Sequence, residues 1–204
     1  MNFSQKNILV LTDGSDGMLS QVIGLAKQLS PNIKSIKTKI LFPWSNLQPG
    51  ILPAYKWSFK NDLSFFPKVD IVISCGRKSV YLSIFLKKKY KNLITIHIQN
   101  PKVNFNKFDY IVAPEHDNIK GDNVINSIGA LHKFNKKSLD DVLDINFKIP
   151  KKNLMSVIIG GTNNHYKFSL DEVNKLVSKI SYFIKINPKL NILIIFSRRT
   201  SDKI

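Results

Sequence analysis

Cysteine occurs once in the 204 residues, at Cys75, so neither an internal disulfide nor a multi-cysteine zinc site can form. A reducing compartment fits, with Cys75 read as a small core residue. Nothing approaches the roughly 18–20 uninterrupted apolar residues that span a bilayer. The first twenty residues contain Asp13 and Asp16 and lack the basic start, apolar block and small-residue cleavage site of a secretory signal. A cytoplasmic chain is expected, peripheral at most at the inner face of a membrane. Acids are few: 14 Asp+Glu stand against 31 Lys+Arg, a net charge of +17, so anions of some kind are attracted. Arginine is also scarce, at Arg77, Arg198 and Arg199 alone. Nucleic-acid readers concentrate arginine and aromatics in one element, so no nucleic-acid partner is expected. Neither a G-x-x-x-x-G-K-[ST] run nor G-x-G-x-x-G spacing occurs, which disfavours a phosphate-hydrolysing motor and a standard dinucleotide binder.

The chain is 43% apolar, which suffices for a packed core. Asn7–Thr12 is a short apolar run followed by Asp13-Gly14-Ser15-Asp16-Gly17, turn chemistry suited to capping a helix. Leu19, Val22, Ile23, Ala26 and Leu29 then recur at helical spacing up to Ser30-Pro31. The alternation returns with a strand at 70–74, a helix over Val80–Tyr90, and strands at 93–98 and 110–113. Such order predicts a parallel sheet with helices on its faces. Residues 42–67 are rich in Pro, Trp and Phe without periodicity and read as a structured excursion. A short helix is expected from Ser138 to before Phe147, and a basic, proline-interrupted linker over 148–153. The expected domains are therefore 1–150 and 151–204. In the second, a strand over Met155–Ile159 leads to Gly160-Gly161-Thr162, then to a helix with Ser169 and Glu172 as a capping box, then to a strand over Ile192–Phe196. One β-α-β unit cannot close a core alone, so the second domain is expected to be incomplete.

Strand ends followed by glycine turns and helix starts are where parallel α/β sheets hold phosphates and sugars, because free N–H groups point into the crevice. Gly160, Gly161 and Thr162 fit a backbone anion cradle, and Ser197-Arg198-Arg199-Thr200 ends the next strand with two guanidiniums that suit a diphosphate. A tight turn and a solvated basic terminus are the plainer alternatives. Glu115, His116 and Asp117 set two carboxylates around an imidazole just past a strand, able to supply a general base or bind a sugar hydroxyl, or merely to cap the next turn. His97, His132 and His165 are scattered, so no metal is expected. Lys87-Lys88-Lys89 beside the apolar Val80–Phe85 reads either as an amphipathic helix for acidic lipid or as a lysine-rich helix end matched to its dipole.

Taken in order, the strings LTDGSDGMLSQVIGLAKQL (11–29), PW (43–44), DIVISCGRKS (70–79), IHIQNPKV (96–103), FDYIVAPEHDNIKGDNVINSIGALHKF (108–134), VIIGGTNNHYKFS (157–169) and FSRRT (196–200) span nearly the whole chain. With them the sequence resembles the mitochondrial-fission-factor family of plants and alphaproteobacteria, the one named for elongated mitochondria. The PEHD, SCGR and SRRT strings carry most of the specificity. The resemblance implies a GT-B glycosyltransferase-like architecture: two Rossmann-like domains facing across a cleft, with the sugar nucleotide on the C-terminal one and no cofactor beyond that donor. It implies nucleotide binding by Gly160, Gly161, Thr162, Ser197, Arg198, Arg199 and Thr200, catalysis by Glu115, His116 and Asp117, and an acceptor side formed by Asp13, Gly14, Gly17, Gln21, Arg77 and Gln99. Asn100 stands where the family carries an acid and Ser201 where it carries a proline, which weakens a carboxylate role and loosens a turn. It also implies roughly another hundred residues after Ile204, so a fragment is expected. The expected function is nucleotide-sugar binding with glycosyl transfer to an envelope or lipid-linked acceptor. The alternative, since the plant relatives are understood as recruiters of a fission machine, is a scaffold with a protein partner at an acidic membrane surface.

Overall fold

The computed structural model describes residues 3–63, 68–135, 150, 152–162, 166–197 and 200–201. The chain divides into two compact units, Met1–Leu139 and Asp140–Ile204. The expected short helix over 138–146 lies outside the described residues, as do positions 148, 149 and 151 of the expected linker.

In the first unit the strands are β1 (Ile8–Thr12), β2 (Ile33–Lys37), β3 (Ile71–Cys75), β4 (Ile94–Ile98), β5 (Tyr110–Pro114) and β6 (Val124–Ser127). They form one sheet in the order β2-β1-β3-β4-β5-β6, and every pairing is parallel. Helix α1 (Asp16–Leu29) links β1 to β2 and α2 (Arg77–Lys89) links β3 to β4. Because successive strand residues point to opposite faces, each central strand feeds two cores. Ile8, Val10, Ile71, Ile73 and Ile98 pack with Val22 and Ala26 of α1, whereas Leu9, Leu11 and Val72 pack with Tyr81, Leu82 and Leu86 of α2. The two helices therefore cover opposite faces, and the direction of the crossovers reverses between β1 and β3. Strands β2 and β6 are the ones the hydrophobic pattern misses. Both are sheet edges with half-exposed, polar-rich sequences, IKSIK and VINS, so neither presents the buried run that marks β1 and β3.

The apolar part of α2 is spent on the core: Val80, Tyr81, Leu82 and Leu86 are buried. It offers no lipid-facing side, and the lysine-rich end is a helix C-terminus. There Lys87 Nζ donates to both oxygens of Asp109, at 2.8 and 2.7 Å, and to Leu93 O at 2.6 Å. Partial burial pushes the Asp109 carboxyl up, but hydrogen bonds from Lys87 and from Thr95 outweigh it, and the net direction is downward. The excursion over 42–58 folds against the same face through Trp44, whose Nε1–H donates to Pro53 O at 2.9 Å.

The second unit pairs β7 (Leu154–Ile159) with β8 (Asn191–Phe196) in parallel, connected through α3 (Leu170–Ile186). Ser169 caps α3 by accepting from Glu172 N–H at 3.5 Å, while the Glu172 carboxylate takes the Tyr166 hydroxyl at 2.9 Å instead of completing a capping box. One helix over two strands leaves apolar surface uncovered: Ile158, Val177, Phe183 and Phe196 are all exposed. That contrast yields a prediction. Leu82→Ala, at a wholly buried site, should lower stability by about 2–5 kcal/mol in urea unfolding, whereas Val177→Ala should stay within about 0.5 kcal/mol.

Candidate functional site

All the loops that follow β1, β3, β4 and β5 emerge at one edge of the sheet, because the strands are parallel. Asp13, Arg77, Gln99 and Glu115 consequently share that edge. Asp13 is not free to meet a ligand with both oxygens. Its Oδ2 accepts from Lys78 N–H at 3.0 Å, and its Oδ1 accepts from Ser79 N–H and Ser79 Oγ–H, each at 3.1 Å. The single Ser79 hydroxyl proton is thus committed, so the Thr38 hydroxyl, 3.1 Å away, is the donor to Ser79 Oγ. The result is that the N-terminus of α2, a ready anion site in principle, is already filled by the protein's own carboxylate. Gly76 makes this possible: its φ is +97°, and a Cβ there would lie 2.8 Å from Asp13 Cγ and 2.6 Å from Met18 Sδ.

Beside this cap lies a crevice of about 470 Å³ lined by Met18, Gly76, Arg77, His97, Gln99 and Lys102, among others. Two long side chains fix its outer wall. Arg77 donates to Leu47 O at 3.0 Å and to Ser45 O, and the Tyr81 hydroxyl donates to Gln48 O at 2.8 Å. Arg77 therefore serves first to hold the excursion in place. Gln99 adopts a left-handed φ of 76° at the end of β4, and its Nε2 reaches Gln21 Oε1 of α1 at 3.4 Å. For a residue other than glycine that backbone is sparsely populated and costs on the order of 1 kcal/mol or more.

The expected acceptor-side residues are thus partly brought together. Arg77 and Gln99 line the crevice, Gln21 touches it through Gln99, and Asp13 adjoins it as the helix cap; Gly14 and Gly17 do not line it. Glu115, His116 and Asp117 form a 3-10 turn after β5 and do not line it either. Asp117 fastens that turn to the neighbouring loop, accepting Asn100 N–H at 3.2 Å, while Glu115 and His116 are open to solvent. His116 Nε2 stands 3.8 Å from Asp117 Oδ1.

His97 is the residue that sequence reasoning set aside. It lies on β4 with 2% of its surface exposed, its Nδ1 2.8 Å from Ser74 Oγ on β3. Burial holds its pKa down from 6.5 to about 3. The signal was present in ITIHI: an imidazole at an inward position of a central strand needs a reason, since an unpaired buried polar group is costly. Cys75, beside it on β3, is also buried, and burial first, then the Asp13 charge, pushes its thiol up to about 12, so it stays protonated and inert. Among the described residues no cluster of three or more His, Cys, Asp or Glu could hold a metal, and no helix is long and apolar enough to cross a membrane.

In the second unit Thr162 Oγ1 accepts Phe168 N–H at 3.2 Å, folding the loop after β7 back to the residue before the Ser169 cap. The Thr200 hydroxyl lies 3.1 Å from Ile159 O and 3.0 Å from Gly160 O, its one proton serving either carbonyl, and its Oγ1 accepts Ser197 N–H at 3.0 Å. The Thr200 hydroxyl thereby joins the ends of β7 and β8, and the Ser197 hydroxyl lies 3.2 Å from it. Gly161 is buried, Gly160 and Thr162 are exposed, and Arg198 and Arg199 lie outside the described residues.

A model of the family described as Mitochondrial fission ELM1 matches residues 16–204. The chain belongs to that family. It is 29% identical to the uncharacterized protein RP120 of Rickettsia prowazekii, an alignment covering 95% of this chain and 65% of that protein. It is 23% identical to the mitochondrial fission protein ELM1 of Arabidopsis thaliana over 54% of this chain and 32% of that one. The chain thus spans less than two thirds of either relative. No solved structure matches it.

Two outcomes follow from the geometry of the site. Asp13→Ala leaves the Lys78 and Ser79 N–H groups without their acceptor, and urea unfolding should show a loss of about 1–3 kcal/mol, with the conservative Asp13→Asn retaining part. His97 gives a pH dependence. The unfolded imidazole takes a proton near 6.5 and the folded one near about 3. Its contribution is therefore complete above the higher value and is lost as pH falls below it, by roughly 1.4 kcal/mol for each pH unit. A pH series of urea unfolding curves should show this slope in the wild type and its loss in His97→Asn.

Proposed function

We propose that this ELM1-family chain belongs to a GT-B-type protein that binds a nucleotide sugar and transfers its glycosyl group to an envelope or lipid-linked acceptor. In this reading the second unit takes the nucleotide and the first takes the acceptor. The observation that carries it is the crevice in the first unit at the crossover reversal, the place where open parallel sheets bind ligands. The β7-loop-α3-β8 unit, with its glycine pair and capped helix, supports the nucleotide half. The transfer joins an acceptor hydroxyl oxygen to the anomeric carbon as the bond to the diphosphate breaks, and the hydroxyl proton passes to a base. Glu115 and His116, solvent-open on the same sheet edge but outside the crevice, are the candidates for that base where the acceptor extends beyond the crevice. Guanidiniums and helix dipoles can neutralise the departing diphosphate without a metal.

A recruiting role is the second reading. It is favoured by the exposed Phe42, Ile51, Tyr55 and Trp57 on the 42–58 excursion, with the Tyr55 and Trp57 rings stacked at 5.6 Å. Acidic membrane and a partner protein are the surfaces such a patch fits. A thermal-shift screen of the full chain against nucleoside diphosphates and their sugars separates the two. A donor at a hundred times its dissociation constant should stabilise by about 2.7 kcal/mol. Replacing Arg198 and Arg199 with alanine should weaken that binding by a few kcal/mol, at roughly 1.5–3 for each charge-assisted hydrogen bond. No response to any nucleotide, or an unchanged response in the double variant, would favour the recruiting role.

A further inference from the structure

His97 makes the floor of the crevice chemically specific. Ser74 Oγ lies 2.8 Å from His97 Nδ1 and 3.4 Å from Ile96 O. One hydroxyl proton serves one acceptor. Both contacts are made together when Nδ1–H donates to Ser74 Oγ and the Ser74 hydroxyl donates to the Ile96 carbonyl. That tautomer leaves Nε2 as a bare lone pair. Nε2 has no hydrogen-bond partner among the described residues, yet it is not one of the sealed buried polar atoms, of which Ser83 Oγ is the example. The ring lines the crevice, so Nε2 has that opening to face.

The walls define what could donate to it. Asn46, Gln48 and Asn100 line the crevice with one end of each carboxamide engaged: Gln48 Nε2 donates to Lys102 O, and Asn100 Oδ1 and Asn46 Oδ1 accept from Lys102 N–H and the Ser45 hydroxyl, so the opposite ends remain for a ligand. Met18, Pro49 and Val80 offer apolar surface, Arg77 and Lys102 add positive charge, and no carboxylate lines it. Arg77 is bound to the Ser45 and Leu47 carbonyls, and an anion drawn in by Lys102 would still meet the Nε2 lone pair as a second electron-rich group. A sugar ring fits the neutral lining: a hydroxyl donates to Nε2, others bond to the open ends of the carboxamides, and its C–H face lies on apolar side chains.

We propose that this crevice is a carbohydrate-binding site in which His97 Nε2, oriented by Ser74, accepts a hydrogen bond from a sugar hydroxyl. It rests on the two-sided reading above and deepens it by naming the acceptor-side ligand as a sugar and His97 as a binding residue. His97 stays neutral throughout the physiological range, because burial opposes its protonation, so it acts as an acceptor and not as a proton store.

The test is titration of the full chain with methyl glucoside and methyl N-acetylglucosaminide, following the His97 ring nitrogens by ¹⁵N NMR. UDP and inorganic phosphate are titrated separately. The free protein should show Nδ1 protonated and Nε2 bare, and a saccharide should move the Nε2 resonance. His97→Asn keeps a donor to Ser74 at the Nδ1 position and removes Nε2, so saccharide affinity should fall at least tenfold while UDP binding is unchanged. The proposal is overturned if Nε2 is protonated in the free protein. It is likewise overturned if neither saccharide moves the resonance, if phosphate alone does, or if His97→Asn binds saccharide as the wild type does. The wild-type titration decides the matter even if the variant folds poorly. Saccharide binding without any UDP response would instead remove the nucleotide half of the wider reading and leave this site standing.

Discussion

Everything at the working edge of the first unit depends on where the Asp13 carboxylate goes. In a chain of net charge +17 a carboxylate just past a central strand has many cations to choose from, yet Asp13 is held by two backbone N–H groups and a hydroxyl at the start of α2. This bond set ties the loop after β1 to the loop after β3 across the crossover reversal, and through Ser79 and Thr38 it also fastens the end of β2. Gly76 must bring the backbone close for the contact to form, and its φ of +97° is the conformation that allows it. The helix dipole is satisfied internally, so the crevice alongside cannot be a helix-terminus phosphate site of the usual kind. Its selectivity has to come from side chains.

Those side chains are placed by elements far apart in sequence. Arg77 and Tyr81, on α2, hold the carbonyls of Ser45, Leu47 and Gln48, and so the aromatic excursion becomes a wall. Asp117, after β5, pins the loop after β4 by accepting from Asn100 N–H, and Gln99 leaves β4 in a left-handed conformation whose cost the surrounding bonds sustain. The consequence is a division of labour within the expected site residues. Asp13, Arg77 and Asp117 spend their polar groups on architecture, while Gln99, and with it the unexpected His97, lines the opening.

The Arabidopsis relative bears mitochondrial fission in its name, and the rickettsial relative extends beyond the region this chain covers. A fold of parallel strands with loops gathered at one edge serves catalysis and binding alike, so function has to be argued from the site. One unit offers a buried imidazole and an amide-lined crevice, the other a strand end followed by two glycines.

The sequence alone determined the parallel α/β class, the places of β1, β3, β4, β5, β7 and β8, and the helices between them. Continuous apolar runs followed by glycine turns arise where a strand is buried on both faces, and that signal is local. It also carried the family, through strings such as SCGR and PEHD. It could not show the edge strands β2 and β6, whose half-exposed residues read as polar loop. Nor could it show that Asp13 caps α2 across sixty-odd residues of chain, that Arg77 is bound to the excursion, or that His97 faces an opening beside Ser74. Each of those facts depends on which strands become neighbours, and strand order is fixed by crossover packing on the two faces of the sheet, an interaction between distant segments that no local pattern encodes.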